Sequence, residues 1–254
     1  MADINYTERY CAFIDILGFR GLVDALERNK TAPTEIFRVL SAVHTRRQAI
    51  RQQEADLKSQ SISDGVALSA EANGAGLDAV CTAAEELSRT LLRSGYFARG
   101  AITKGRLYHD GSMVFGPAFL EAYRLETQVA KFPRIMVQRS AAEDGPVYSQ
   151  QGTHWREVFD GRFIKAADGP FYLHIFRNQV RLATNLSKNS SQADAKDDAQ
   201  LMLLIPMRQA IQNRYDEASD TPEHFQKVDW FVRYWNEYVA CGVKGLEPIA
   251  PRPL

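Results

Sequence analysis

Tyr10-Cys11-Ala12-Phe13-Ile14-Asp15-Ile16-Leu17-Gly18-Phe19 sets one carboxylate inside an apolar run that ends at a glycine. The run reads as a buried strand, and Gly18 as its terminus. An ionised carboxylate inside such a strand is costly unless a cation, an ion pair or hydrogen bonds compensate it. Two explanations stand side by side: a carboxylate that holds Mg²⁺ at the strand end, or a buried Asp that caps the following helix.

Working outward from this strand, residues 18–27 read as a helix and 33–55 as a longer one, with Ile36, Leu40, Val43 and His44 on one face. Residues 57–70 alternate apolar and polar around Ser63-Asp64-Gly65, a strong hairpin signal. A helix over 74–94 turns Leu77, Val80, Cys81, Ala84, Leu87, Leu91 and Leu92 inward, and a strand over 98–104 and a turn follow. A second turn is expected at His109-Asp110-Gly111 within 107–115, and Pro117 opens a helix reaching about Val129. Further strands are expected at 134–138 and 162–176. The order βααββαββαββ predicts an α+β fold with a mostly antiparallel sheet, rather than a doubly wound one. The polar stretch Ser187-Lys188-Asn189-Ser190-Ser191-Gln192-Ala193-Asp194 divides the chain into a first domain, 1–180, and a helical C-terminal extension, 181–254. Helices are expected there over 201–215 and 228–239, with Trp230, Phe231, Tyr234, Trp235 and Tyr238 at a spacing that suits packing.

Composition narrows the function classes. Lys+Arg and Asp+Glu balance at 31 each in 254 residues, so no basic excess points to nucleic acid. Cys11, Cys81 and Cys241 lie far apart, which fits a reducing compartment and excludes a cysteine-based zinc site. The N-terminal residues lack a basic region followed by an apolar one, and no apolar run approaches the roughly 20 residues a membrane span needs. A cytoplasmic protein without a membrane span is expected. The five histidines, 44, 109, 154, 174 and 224, show no metal spacing and read as structural or surface groups.

Asp64 gains meaning beside Asp15. Alone, Asp64-Gly65 is a tight turn; a hairpin that brings its carboxylate next to Asp15 gives two acidic ligands on adjacent strands, a number that suits Mg²⁺ arriving with a nucleotide.

Phe13-Ile14-Asp15-Ile16-Leu17-Gly18-Phe19 resembles the first metal motif of class III nucleotidyl cyclases, and Ser63-Asp64-Gly65 their second. Arg99-Gly100-Ala101-Ile102-Thr103-Lys104-Gly105 is similar to the family's Arg-x-Gly-Ile-x-x-Gly strand, with Ala101 in place of the middle glycine. Phe115-Gly116 followed by Arg124-Leu125-Glu126 resembles the stretch that ends in the transition-state arginine. Coverage runs from about residue 8 to 176. The resemblance implies that Asp15, Asp64 and the backbone carbonyl of Ile16 hold two Mg²⁺ or Mn²⁺ ions and that Arg124 is catalytic. It places Lys165, more loosely, where the family has a phosphate-binding lysine, and implies a homodimer whose sites each combine the metal aspartates of one subunit with the arginine of the other.

The departures bear on the base. Gln60 and Met113 stand at the two purine-reading positions, so neither the adenine nor the guanine code is present. Gly116 to Glu126 and Lys165 to His174 resemble the pyrimidine cyclases of bacterial Pycsar anti-phage systems, which make cyclic UMP or cyclic CMP. A uridylate cyclase converting UTP to 3′,5′-cyclic UMP and pyrophosphate is the implied function, its product sensed by a separate effector protein. A cytidylate cyclase is the alternative. Leu120 replaces the ribose-orienting asparagine, with Glu121 as a substitute, and this departure keeps open a catalytically silent nucleotide-binding module. Gln60, an amide with both donor and acceptor, and Arg99, at the strand start, are further substrate-binding candidates. An Asp-x-Asp phosphatase is disfavoured because Leu17 stands where its second Asp belongs, and a diguanylate cyclase because its Gly-Gly-Asp/Glu-Glu-Phe hairpin is missing.

Overall fold

The computed structural model describes residues 5–50, 56–186, 193–218 and 221–250, which fall into two compact units. The first comprises residues 1–91 and 96–174, the second 92–95 and 175–254.

The first unit is built on β1 (Thr7–Leu17), whose eleven residues pair antiparallel with a strand on either side. Gly18 ends it at φ 86, a left-handed conformation that glycine adopts without steric cost. Helices α1 (Phe19–Glu27) and α2 (Pro33–Ile50) follow; the expected continuation of α2 to residue 55 lies outside the described residues. β2 (Lys58–Ile62) and β3 (Gly65–Glu71) form the expected hairpin, with Ile62 opposite Gly65 and a two-residue turn, Ser63-Asp64, in which Ser63 takes φ 57. α3 (Gly74–Arg93) starts where the Asn73 side-chain oxygen accepts the Gly76 N–H at 2.8 Å. The remaining elements are β4 (Phe97–His109), β5 (Val114–Phe115), α4 (Pro117–Arg124), a π-helical turn (Leu125–Val129), β6 (Ile135–Val137), α5 (Arg139–Ser149), α6 (Thr153–Phe159), β7 (Phe163–Lys165) and β8 (Phe171–Leu173). The sheet order is β2-β3-β1-β4-β6-β8-β7, with β5 on the end of β4; β4–β6 is its parallel pair and the other ladders are antiparallel.

Strand alternation sorts the β1 side chains between two faces. Cys11 and Phe13 point to the face covered by α4, against Ala118, Ala122 and Phe119, and Asp15 continues that row. Tyr10 points to the other face, where its hydroxyl donates to Asp144 of α5 at 2.6 Å, beside the Lys104 ammonium at 2.9 Å from the same carboxylate.

Two expectations are corrected here. β4 does not end near Lys104; it runs unbroken to His109, because β1 offers backbone partners along its whole length, from Leu17 opposite Phe97 to Thr7 opposite Leu107. Between residues 138 and 162, where no helix was expected, α5 and α6 form; α5 carries Gly145-Pro146 within it, and Gly145 lies where an added Cβ would meet the Phe163 ring at 2.9 Å. The apolar stretch 162–176 is a hairpin, turned by Gly169 at φ 110.

Gly100 makes the tightest demand in the β1–β4 ladder. A Cβ there would strike the Phe13 carbonyl oxygen and the Ile14 Cα, both backbone. Gly100→Ala therefore separates the two central strands and costs about 2–3 kcal/mol, read as a lowered melting temperature with the sheet signature kept at low temperature.

The second unit holds α7 (Arg177–Leu186), α8 (Ala193–Glu217), α9 (Pro222–Tyr238) and a 3₁₀ turn, Ala240–Gly242. α8 is longer than the expected 201–215 and α7 was not expected. Trp235 is fully buried, edge-on to Phe176 at 5.2 Å, and Trp230 stacks on Tyr234, so these aromatics form a core. Arg208 donates to the Glu247 and Pro248 carbonyls, which fixes the C-terminal segment. Among the described residues no helix is long and apolar enough to cross a membrane.

Candidate active site

Three elements converge on the end of β1. Asp15 lies directly opposite Arg99 in the β1–β4 ladder, and the β2–β3 turn carries Asp64 alongside. The side chains of Asp15 and Asp64 share a hydrogen bond. Gly65 permits this approach: its missing Cβ leaves room for the Phe13 ring, whose Cζ would otherwise lie 2.6 Å away. The Asp-Gly pair thus serves the site as well as the turn.

A third carboxylate, Glu126, comes from the π-helical turn after α4. It is 2 % exposed, its side chain is hydrogen-bonded with Asp15, and its Oε1 lies 2.7 Å from Arg99 Nε. The N–H is not aimed along that contact, which makes it an ion pair rather than a directed hydrogen bond. Arg99 Nη2 lies 3.5 Å from Asp15 Oδ2, and Nη1 donates at 3.4 Å to the Ala130 carbonyl. The wider π turn directs Glu126 under the sheet while Arg124, two residues earlier, stays at the surface.

Burial, then the hydrogen bond to Asp64 and the charges of Asp64 and Glu126, push the Asp15 carboxyl up from 3.8 to about 7, against the pull of Arg99. Burial likewise raises Glu126, and Arg99 draws it back. Near neutrality the metal-free Asp15 is therefore protonated in part of the molecules and ionised, beside Arg99, in the rest. Because the folded-state value lies above the unfolded one, Asp15's contribution to stability is full below about pH 4 and is lost as pH rises through about 7. In EDTA, the melting temperature of the wild type relative to Asp15→Asn should fall between pH 5 and pH 8; a difference that stays constant or grows with pH would count against this arrangement.

The other expected residues fall into separate groups. Gln60 Nε2 donates to the Ser112 carbonyl at 2.9 Å, which brings it beside Met113, half exposed in the loop that Asp110 organises by accepting from the Ser112 and Met113 N–H groups. Gln60 Oε1 is buried and has no hydrogen-bond partner among the described residues. Glu121 and Arg124 form a two-pronged ion pair one helical turn apart on α4, at 2.7 and 2.8 Å, and the Arg124 guanidinium holds Glu121 below its ordinary value. Arg124 is 48 % exposed and is not among the charges that act on Asp15. Leu120, on the same helix, is 66 % exposed. Lys165 lies exposed on β7, its ammonium 4.6 Å from the Phe171 ring centre. β7 is four strands from β1, roughly 19 Å at sheet spacing, so within one chain Lys165 does not join Asp15 and Asp64. Ile16 is buried in β1, opposite Ala98 of β4. His109 is a structural group, its Nδ1 2.8 Å from the buried Ser69 hydroxyl, which also accepts from Arg9.

Among the described residues no three His, Cys, Asp or Glu side chains form a group that could hold a metal ion. Two carboxylates are nevertheless what Mg²⁺ commonly takes from a protein when phosphates and water complete its shell. Asp15 and Asp64 fit that role, with Glu126 engaged by Arg99. Sequence reasoning missed Glu126 as a member of the site; its only signal was an acidic residue in the predicted helix after Arg124.

No family model matches the chain, and no curated protein matches it either. Solved structures similar to it include the guanylyl cyclase domain of the RhoGC fusion protein from the aquatic fungus Blastocladiella emersonii, 14% identical with a TM-score of 0.45, covering 66% of this chain and 95% of that one. A bacterial light-regulated adenylyl cyclase is 16% identical with a TM-score of 0.45, covering 67% and 92%. The adenylyl cyclase CyaB from P. aeruginosa is 11% identical with a TM-score of 0.46, covering 66% and 92%.

Proposed function

We propose that this chain is a nucleotidyl cyclase acting on a pyrimidine nucleoside triphosphate, UTP, to give 3′,5′-cyclic UMP and pyrophosphate. The observation that carries the reading is the pairing of Asp15 and Asp64 at one end of the sheet, where the β2–β3 turn brings the second carboxyl beside the first. Asp15, Asp64 and the Ile16 carbonyl would hold Mg²⁺ or Mn²⁺. Two bound ions would supply acidification of the ribose 3′-hydroxyl and neutralisation of the triphosphate charge. The 3′-oxygen loses its proton and bonds to the α-phosphorus, and the bond from that phosphorus to the bridging oxygen breaks to release pyrophosphate. Arg124 stabilises the charge that develops on the phosphate oxygens.

Within one chain Arg124 stands apart from the aspartates, which supports a homodimer in which Arg124, and with it Lys165, reaches the site of the opposite subunit. Glu121 holds Arg124 in the meantime and is then free to meet the ribose that Leu120 cannot. Gln60 supports a base whose edge carries a hydrogen-bond donor: one of its two amide N–H groups is given to the Ser112 carbonyl, and its Oε1 is an acceptor such a donor can meet. Uracil N3–H satisfies that acceptor. The cytosine amino group does so too, which makes cyclic CMP the second reading. We place the enzyme in the cytoplasm as the source of a second messenger in anti-phage defence, its product read by a separate effector.

Purified protein incubated with ATP, GTP, CTP and UTP in turn, with Mn²⁺, tests the reading directly. A cyclic product from UTP that disappears in Asp64→Ala supports it; a purine product transfers the assignment to a purine cyclase, and no product from any nucleotide leaves a silent binding module.

A further inference from the structure

The guanidinium of Arg99 touches both acidic elements of the site, but unequally. Its Nε lies 2.7 Å from Glu126, and Nη1 donates to the carbonyl of Ala130, the residue that follows the π turn. Both contacts come from one short segment. The third, from Nη2 to Asp15, is a single ion pair at 3.5 Å across to β1. Arg99 thus stands between the Asp15 carboxylate of β1 and the buried Glu126 carboxylate, two like charges that repel unless a cation sits between them.

We infer that Arg99 is an internal counter-cation, held by Glu126 and Ala130, that neutralises Asp15 until a divalent ion takes its place, so that Arg99 and the ion compete for that carboxylate. The inference rests on the reading of Asp15 and Asp64 as metal ligands. Arg99 is thereby a positioning residue, and metal entry releases Nη2 from Asp15 while Nε stays with Glu126. A unit positive charge a few ångströms from a ligand weakens binding of a doubly positive ion, so its removal tightens binding.

The test is Mn²⁺ binding to metal-free full-length protein without nucleotide, with free Mn²⁺ followed by electron paramagnetic resonance. Arg99→Met is expected to lower the dissociation constant by about tenfold, and Arg99→Lys, which keeps the charge, to stay within roughly threefold of wild type. Since Arg99→Met leaves Glu126 buried without its cation, Arg99→Met/Glu126→Gln is measured alongside and is also expected to bind more tightly than Glu126→Gln alone. If the wild type binds Mn²⁺, loses it in Asp15→Asn, and shows no gain in either Met variant, the inference is overturned while the metal reading stands. A gain as large for Lys as for Met also overturns it, because charge is then not the cause. No Mn²⁺ bound by any of these proteins overturns the metal reading itself.

Discussion

Asp15→Asn is expected to reduce cyclic nucleotide formation by more than about 10³-fold while the protein stays folded. Asparagine keeps the shape of the side chain and can still hydrogen-bond with Asp64 and Glu126, but it has no charge to offer a divalent ion. The same substitution removes the need to hold a proton among three acids, so at pH 8 the variant should melt no lower than the metal-free wild type. Loss of activity together with undiminished stability separates a chemical role from a structural one. Activity within tenfold of wild type at saturating Mn²⁺ would rule Asp15 out as a ligand the reaction depends on.

Arg124→Ala should lower the turnover number by about 10²–10³-fold, the usual cost of removing one preorganised donor from a developing oxyanion. Stability should change little, because Arg124 is 48 % exposed and the ion pair it makes with Glu121 is a surface contact. Mixing is the sharper experiment. If the aspartates and Arg124 act from opposite subunits, Asp15→Asn and Arg124→Ala protomers combined at equal concentration form mixed dimers with one intact site, and roughly a quarter of wild-type activity returns. A mixture as inactive as its components, under conditions where subunits exchange, would show that the arginine does not act across a dimer.

The parts of the fold legible in the sequence were those in which local pattern and tertiary demand agree. Asp15 stood out because it breaks an apolar strand, and Ser63-Asp64-Gly65 because the turn sits between two alternating runs. What stayed hidden was set by partners distant in sequence. β4 keeps its course past Gly105 because Arg9 of β1 lies opposite, and α5 tolerates Gly145-Pro146 where the Phe163 ring packs against the glycine. Glu126 escaped for a related reason: a helical pattern with 3.6 residues per turn puts it one step from Leu125, and only the π turn carries it under the sheet to Arg99. The two carboxylates could be named from the chain; the guanidinium and the third acid that complete their surroundings could not be paired with them.

The hairpin that carries Asp64 also carries Gln60, with Ile62 opposite Gly65 and Gln60 opposite Ala67. Two strand steps, about 7 Å, separate Gln60 from the last paired residue before the turn, and the antiparallel ladder leaves that interval no freedom. With Asp64 and Gln60 in the roles proposed for them, the ribbon is a caliper whose tip would bear on the phosphate end of a nucleotide and whose shaft would bear on the base. A protein so built cannot accommodate a larger or smaller base by lengthening one arm, since a one-residue slip would turn every side chain of β2 to the opposite face. On that proposal base preference would change through the chemistry of the side chain at position 60 and the loop it leans on, leaving nucleotide choice and phosphate chemistry free to evolve separately on one rigid piece of backbone.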